Sequence, residues 1–143
     1  MDTLFTMKSL SQYAQVWQQI QEGRPLSEDE EIVAGVMKEH PEFDTFWLAG
    51  ETALHPQEID GFVVNPMIHA GLHVIGEKQV LELNPEETSV TLQALVDHGI
   101  TRHEAMHKII GIWGDLYFKS IRGGASMYEW EYITLLNSLW RSS

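Results

Sequence analysis

An all-α fold is what this sequence predicts, and three observations predict it. Apolar residues recur at three- and four-residue spacing in several separate stretches. Helix-starting and helix-stopping residues stand at the ends of those stretches. No segment sustains the apolar–polar alternation of a half-buried strand, and no internal repeat or low-complexity tract interrupts the pattern. With 143 residues the chain is long enough for one domain with its own core. We expect a single-domain bundle of about six helices. An N-terminal helical layer over residues 1–62 covers a core over residues 63–143, in which the third and fifth helices pack antiparallel at the centre.

The elements follow in order. Leu10, Tyr13, Ala14, Trp17 and Ile20 form one stripe of a first helix from about Ser9 or Ser11 to Gln21, ended by Gly23 and Pro25. Ser27 and Glu30 make a reciprocal cap for a second helix, whose first turn is acidic and whose core face is Ile32, Val33, Val36 and Met37. Pro41 stops it, and His40 in its last turn serves as a C-terminal cation. Phe43, Phe46, Trp47 and Leu48 suit one short helical turn, and Gly50 to Gly61, with His55-Pro56 inside it, suits a loop. Asn65 as N-cap and Pro66 at the first helical position open a third helix that runs to about Leu83. Its expected core face is Ile68, Leu72, Ile75 and Leu83, with Val80 beside it. Gly71 and Gly76 each cost about 1 kcal/mol of helix stability, so another backbone or a ligand is expected to come close there.

A fourth helix from about Glu86 to His98 carries Val90, Leu92, Leu95 and Val96 and ends at Gly99, with His98 as another C-terminal cation. Thr101 caps the fifth, with Glu104 in the reciprocal place of a capping box. Met106, Ile109, Ile110, Trp113, Leu116, Tyr117 and Ile121 give it a broad apolar face, and Gly123-Gly124 breaks it. Ser126 and Glu129 offer a cap for a last helix to about Trp140, with Trp130, Ile133, Leu136 and Leu139 inward. Trp113, Trp130 and Trp140 are expected in the core.

Composition excludes several classes of function. The chain has no cysteine, so disulfides, iron–sulfur clusters and thiolate zinc sites are out. Nine basic residues against 21 acidic ones give a formal net charge of -12, which repels phosphate backbones and anionic membranes. No apolar run reaches the roughly 18 residues of a membrane span. The first residues lack the basic and apolar regions of a signal peptide, and the expected location is cytoplasmic.

Chemistry concentrates in two histidine pairs. His69 and His73 lie four residues apart on the third helix, and His103 and His107 repeat that spacing on the fifth. Imidazoles at i and i+4 project from one face about 6 Å apart and can converge on one ion. Two such helices side by side supply four nitrogens, enough for a closed zinc site; if one withdraws, water takes the open position. Zinc is the first expectation for the divalent ion, and iron, nickel and copper also suit imidazole with carboxylate. Glu77, one turn beyond His73, is the candidate carboxylate ligand. A single pair of this kind is more often hydrogen-bonded than metal-bound; two pairs, each on the shoulder of an amphipathic helix, shift the balance to metal. His103-Glu104-Ala105-Met106-His107 also fits the His-Glu-x-x-His pattern of zinc peptidases, with Glu104 as general base and Glu129 or Glu131 as further ligand. Against a peptidase, Glu104 already serves as a helix cap, and no edge strand is expected for an extended substrate.

In these same residues the chain resembles a family of small bacterial proteins known only as a domain of unknown function. Its pattern is Asn-Pro-x-x-His-x-x-Leu-His, a Gln six residues on, then His-(Asp/Glu)-Ala-x-His opening a late helix. Asn65, Pro66, His69, Leu72, His73, Gln79, His103, Glu104, Ala105 and His107 match, and the resemblance covers about Val64 to Leu136. It implies that the two pairs belong to one unit. It implies no substrate. Tolerance of Asp where Glu104 stands implies a capping or supporting carboxylate rather than a dedicated base. The leading expectation is therefore a mononuclear metal site of structural, regulatory or hydrolytic purpose. The rival is a metal-free interaction module whose histidines hydrogen-bond between helices, and whose acidic or aromatic surface meets a protein partner or a second copy.

Overall fold

Capping chemistry sets most element boundaries of this all-α chain. The computed structural model describes residues 7–48, 57–59, 62–124 and 126–141. Among them are α1 (Met7–Glu22), α2 (Glu28–Lys38), a 3₁₀ turn (Pro41–Phe46), β1 (Gln57–Ile59), β2 (Phe62–Val64), α3 (Pro66–Glu82), α4 (Glu86–Asp97), α5 (Arg102–Gly123) and α6 (Glu129–Ser138). The chain divides into two compact units, Met1–Val74 and Ile75–Ser143, the division falling inside α3. No helix among the described residues is long and apolar enough to cross a membrane.

In the first unit, Gly23 adopts φ +69 and turns the chain out of α1. Ser27 then starts α2 as expected: its hydroxyl accepts from Glu30 N, and the Glu30 carboxylate accepts from Ser27 N at 2.8 Å. Val33, Ala34, Val36 and Met37 of α2 bury against Tyr13 and Val16 of α1, and Phe43, Trp47, Met67, Ala70 and Val74 complete that core. Phe43 and Trp47 each bury about 150–250 Å², which stabilises by roughly 4–6 kcal/mol at 25 cal/mol per Å². Leu48, expected beside them, is exposed. Asn65 begins α3 as its sequence promised, its Oδ1 accepting from Ile68 N at 3.1 Å.

The stretch expected as a loop, Gly50 to Gly61, holds β1, which pairs with β2 just beyond it. β1 and β2 pair antiparallel with Gln57 opposite Val64 and Ile59 opposite Phe62. Three residues per strand are too few to show a period of two. His55 and Pro56 lie outside the described residues.

In the second unit α4, α5 and α6 pack pairwise. Leu92, Leu95, Ala105, Met106, Ile109, Ile110, Tyr132 and Leu136 are buried there. Gly76 of α3 meets α5 so closely that a Cβ would stand 2.8 Å from both Ile110 Cγ2 and Met106 Sδ. What comes close to that glycine is not the backbone or ligand expected there but the side chains of α5. Gly99 at φ +94 and Gly124 at φ +66 close α4 and α5.

Several expected faces are rotated. In α3 the buried residues are Pro66, Met67, Ala70, Gly71, His73, Val74 and Gly76, while Ile68, Leu72, Ile75 and Val80 are half-buried and Leu83 is exposed. Apolar residues run almost all round this helix, so periodicity picks no single face. In α4, Thr88 and Thr91 are buried, and Val90 and Val96 are exposed. Thr88 Oγ1 and Tyr132 OH both donate to Gln79 Oε1, at 2.9 and 2.7 Å, and Trp140 Nε1 donates to Thr91 Oγ1 at 3.1 Å. Those bonds satisfy the polar atoms and make the burial affordable. The Ser126–Glu129 cap does not form: α6 begins at Glu129 behind Tyr128, with no side-chain cap. Trp130 is consequently 65% exposed rather than inward, and Tyr132 takes the core place.

Candidate metal centre

The first unit gathers three imidazoles. His69 and His73 come from successive turns of α3, with ring centroids 4.9 Å apart. His40, at the junction of α2 and the 3₁₀ turn, joins them at 4.9 Å from His69 and 4.4 Å from His73. Rings bound to one tetrahedral ion through bonds of about 2.0–2.1 Å have centroids about 5 Å apart, a spacing all three rings meet. Among the described residues, however, the ring nitrogens close enough to share an ion include those of His40 and His73 and not that of His69. His40 and His73 each offer a ring nitrogen, and these atoms lie within 4.8 Å of each other.

The surroundings of these rings are apolar. His73 is 0% exposed and His40 1%. Phe43 stacks on His40 at 5.4 Å and stands edge-on to His69 at 5.5 Å. His40 Nδ1 lies 2.8 Å from Val36 O. A carbonyl only accepts, so Nδ1 carries the proton, and the lone pair of the neutral ring is on Nε2. A backbone bond of this kind orients and tunes metal-binding histidines.

In the second unit His103 and His107 repeat the pattern at the start of α5. Their ring centroids are 4.3 Å apart, and each offers a ring nitrogen within 4.8 Å of the other's. His103 is half-buried and His107 exposed. Thr101 caps this helix, its hydroxyl accepting from Glu104 N at 3.2 Å, and Glu104 itself is exposed in the first turn. Glu77 is held by Arg102: the guanidinium donates to both carboxylate oxygens, at 2.7 and 2.8 Å. Glu129 is exposed in the first turn of α6, and Glu131 is half-buried beside Leu116, Lys119 and Met127.

Of the residues chosen from sequence, the structure therefore joins His69 to His73, His103 to His107, and Glu77 to Arg102. His40 is the residue that sequence reasoning did not place in the site. Its position at the end of α2 gave it a sufficient role as a cap, and nothing local pointed to α3. The family described as Domain of unknown function (DUF1841) matches residues 7–138. No curated protein and no solved structure matches the chain.

Proposed function

The chain belongs to that family of unknown function, and we propose that it holds a transition-metal ion, zinc first, through histidine nitrogen. The observation that carries this reading is the pairing of His40 and His73, both fully buried, with ring centroids 4.4 Å apart and ring nitrogens within 4.8 Å of each other. One ion can take nitrogens from several imidazoles gathered in this way. Imidazole without thiolate suits zinc, copper, nickel or iron and disfavours calcium and magnesium. Glu77 supplies no ligand in this reading, because its oxygens accept from Arg102. His103 and His107 enter it on the sequence argument, which brings both pairs to one ion with four nitrogens. Such an ion is structural or regulatory; hydrolysis requires water in place of one imidazole, with Glu104 as its base.

Untagged protein, analysed for bound metal and then melted with chelator or with added zinc, tests the proposal. Zinc should raise the melting temperature, and its binding should release protons. At a thousandfold excess over Kd the stabilisation is about 4 kcal/mol. His40→Ala with His73→Ala should abolish the response, and His103→Ala with His107→Ala should weaken it at least tenfold if those rings share the ion. Protein that carries no metal and melts identically with chelator and zinc refutes the reading. The interaction-module reading has one observation of its own, the exposed stack of Tyr128 on Trp130 at 6.4 Å.

A further inference from the structure

Glu77 and Arg102 are one residue or one turn from the histidines, and neither has yet been given a function. Glu77 lies one turn beyond His73 on α3, and Arg102 immediately precedes His103 on α5. Between them runs a two-point fork, Nη1 to Oε2 at 2.7 Å and Nη2 to Oε1 at 2.8 Å. Beside it, Gly76 is fitted against Met106 and Ile110 with no room for even a methyl group. Shape and charge thus fix the same stretch of α3 against the first turns of α5. Met106, the residue gripped by Gly76, sits between His103 and His107 in the sequence.

We propose that Glu77 and Arg102 are a positioning pair for the histidine site, not a ligand and a bystander. This rests on the metal-holding reading above. The fork sets where the first turn of α5 lies against the C-terminal half of α3, and so where His103 and His107 present their rings. A planar guanidinium locked on both oxygens of a carboxylate resists sliding and rotation, which a single-point lysine contact does not. Arg102 is half-exposed and Glu77 less so, so the pair contributes little to folding as such. Its effect is geometric: residues that orient metal ligands change affinity about 10–100-fold when removed.

The test compares zinc affinity, by competition with a chromophoric chelator, with the melting temperature of the metal-free chain. Glu77→Gln and Arg102→Gln should each weaken zinc about tenfold or more. The metal-free melting temperature should fall by no more than about 3 °C. Arg102→Lys, the mildest change, keeps the charge and loses the fork, and should weaken zinc also. The reversed pair Glu77→Arg with Arg102→Glu should recover most of the affinity. If Glu77 were itself a ligand, Glu77→Gln would weaken zinc, Arg102→Gln would not, and the reversed pair would fail to recover; that pattern overturns the inference. So does zinc affinity within threefold of the parent in all three single variants. A parent chain that takes up no zinc refutes the metal-holding reading itself, a separate result.

Discussion

Gly76→Ala is the substitution on which packing and helix propensity disagree most sharply. On propensity alone, alanine in the middle of α3 gains about 1 kcal/mol. On packing, the new Cβ would stand 2.8 Å from Met106 Sδ and from Ile110 Cγ2, where contact distances are about 3.5–4.0 Å. Met106 can bend its chain, but Ile110 Cγ2 branches directly from Cβ, and both residues are buried. Overpacking of this kind costs about 1–3 kcal/mol. The expected net loss is up to about 2 kcal/mol, a fall in melting temperature of up to roughly 8 °C. Urea unfolding followed by far-ultraviolet circular dichroism, in chelator so that no metal enters, measures it. Gly35 in α2 and Gly111 in α5 are the controls: no atom lies within 4 Å of a Cβ at either. Gly35→Ala and Gly111→Ala should therefore stabilise by up to about 1 kcal/mol. Adding Gly76→Ala to Ile110→Ala should cost less than it does in the parent, because the clash is shared. A Gly76→Ala chain stabilised by about 1 kcal/mol, like the two controls, would show that the close approach of α3 and α5 is not as described.

Two further predictions concern groups the fold buries or exposes. Burial pushes the Tyr13 and Tyr132 phenols up to about 12, the Thr88 hydrogen bond opposing this at Tyr132. The folded chain thus keeps these protons when the unfolded chain, near 10, has lost them. Stability should be full below pH 10 and fall as pH rises from 10 through 12, by the order of 2–3 kcal/mol per tyrosine. Phenolate absorbance should show Tyr13 and Tyr132 ionising late, and Tyr132→Phe should remove one late step; a single ionisation step near 10 with unchanged stability contradicts this. In α6, Trp130→Ala should cost less than about 0.5 kcal/mol and Leu136→Ala about 2–5 kcal/mol. The opposite order would return Trp130 to the core.

Local chemistry was legible in the sequence, and choice of face was not. Ser27 with Glu30, Asn65 with Pro66, Thr101, Gly23, Gly99 and Gly124 each act within one helical turn, so four or five letters announce them. The inward face of α4 or α6 depends on distant residues. Val90 is the more apolar side chain, yet Thr88 is buried because Gln79, from another helix, accepts its hydroxyl. Tyr132 takes the core place over Trp130 for the same reason, since its hydroxyl also reaches Gln79. The site divides along the same line. His69 with His73, and His103 with His107, are i,i+4 neighbours and were visible as pairs. His40, and the engagement of Glu77 by Arg102, depend on contacts between elements far apart in the chain.

His40 and His98 together separate helix capping from metal holding. Both close a helix, and both donate from Nδ1 to the carbonyl four residues earlier, at 2.8 Å to Val36 and 2.6 Å to Ala94. His98 makes that bond while exposed, so the cap requires no burial. His40 makes it at 1% exposure, stacked on Phe43 and set against His69 and His73. Burying a polar ring is costly, and the capping bond, which an exposed ring makes equally well, does not account for that cost. What distinguishes His40 is its place against two other imidazoles, 4.9 Å from His69 and 4.4 Å from His73. The ion proposed above would give that burial a purpose that capping lacks.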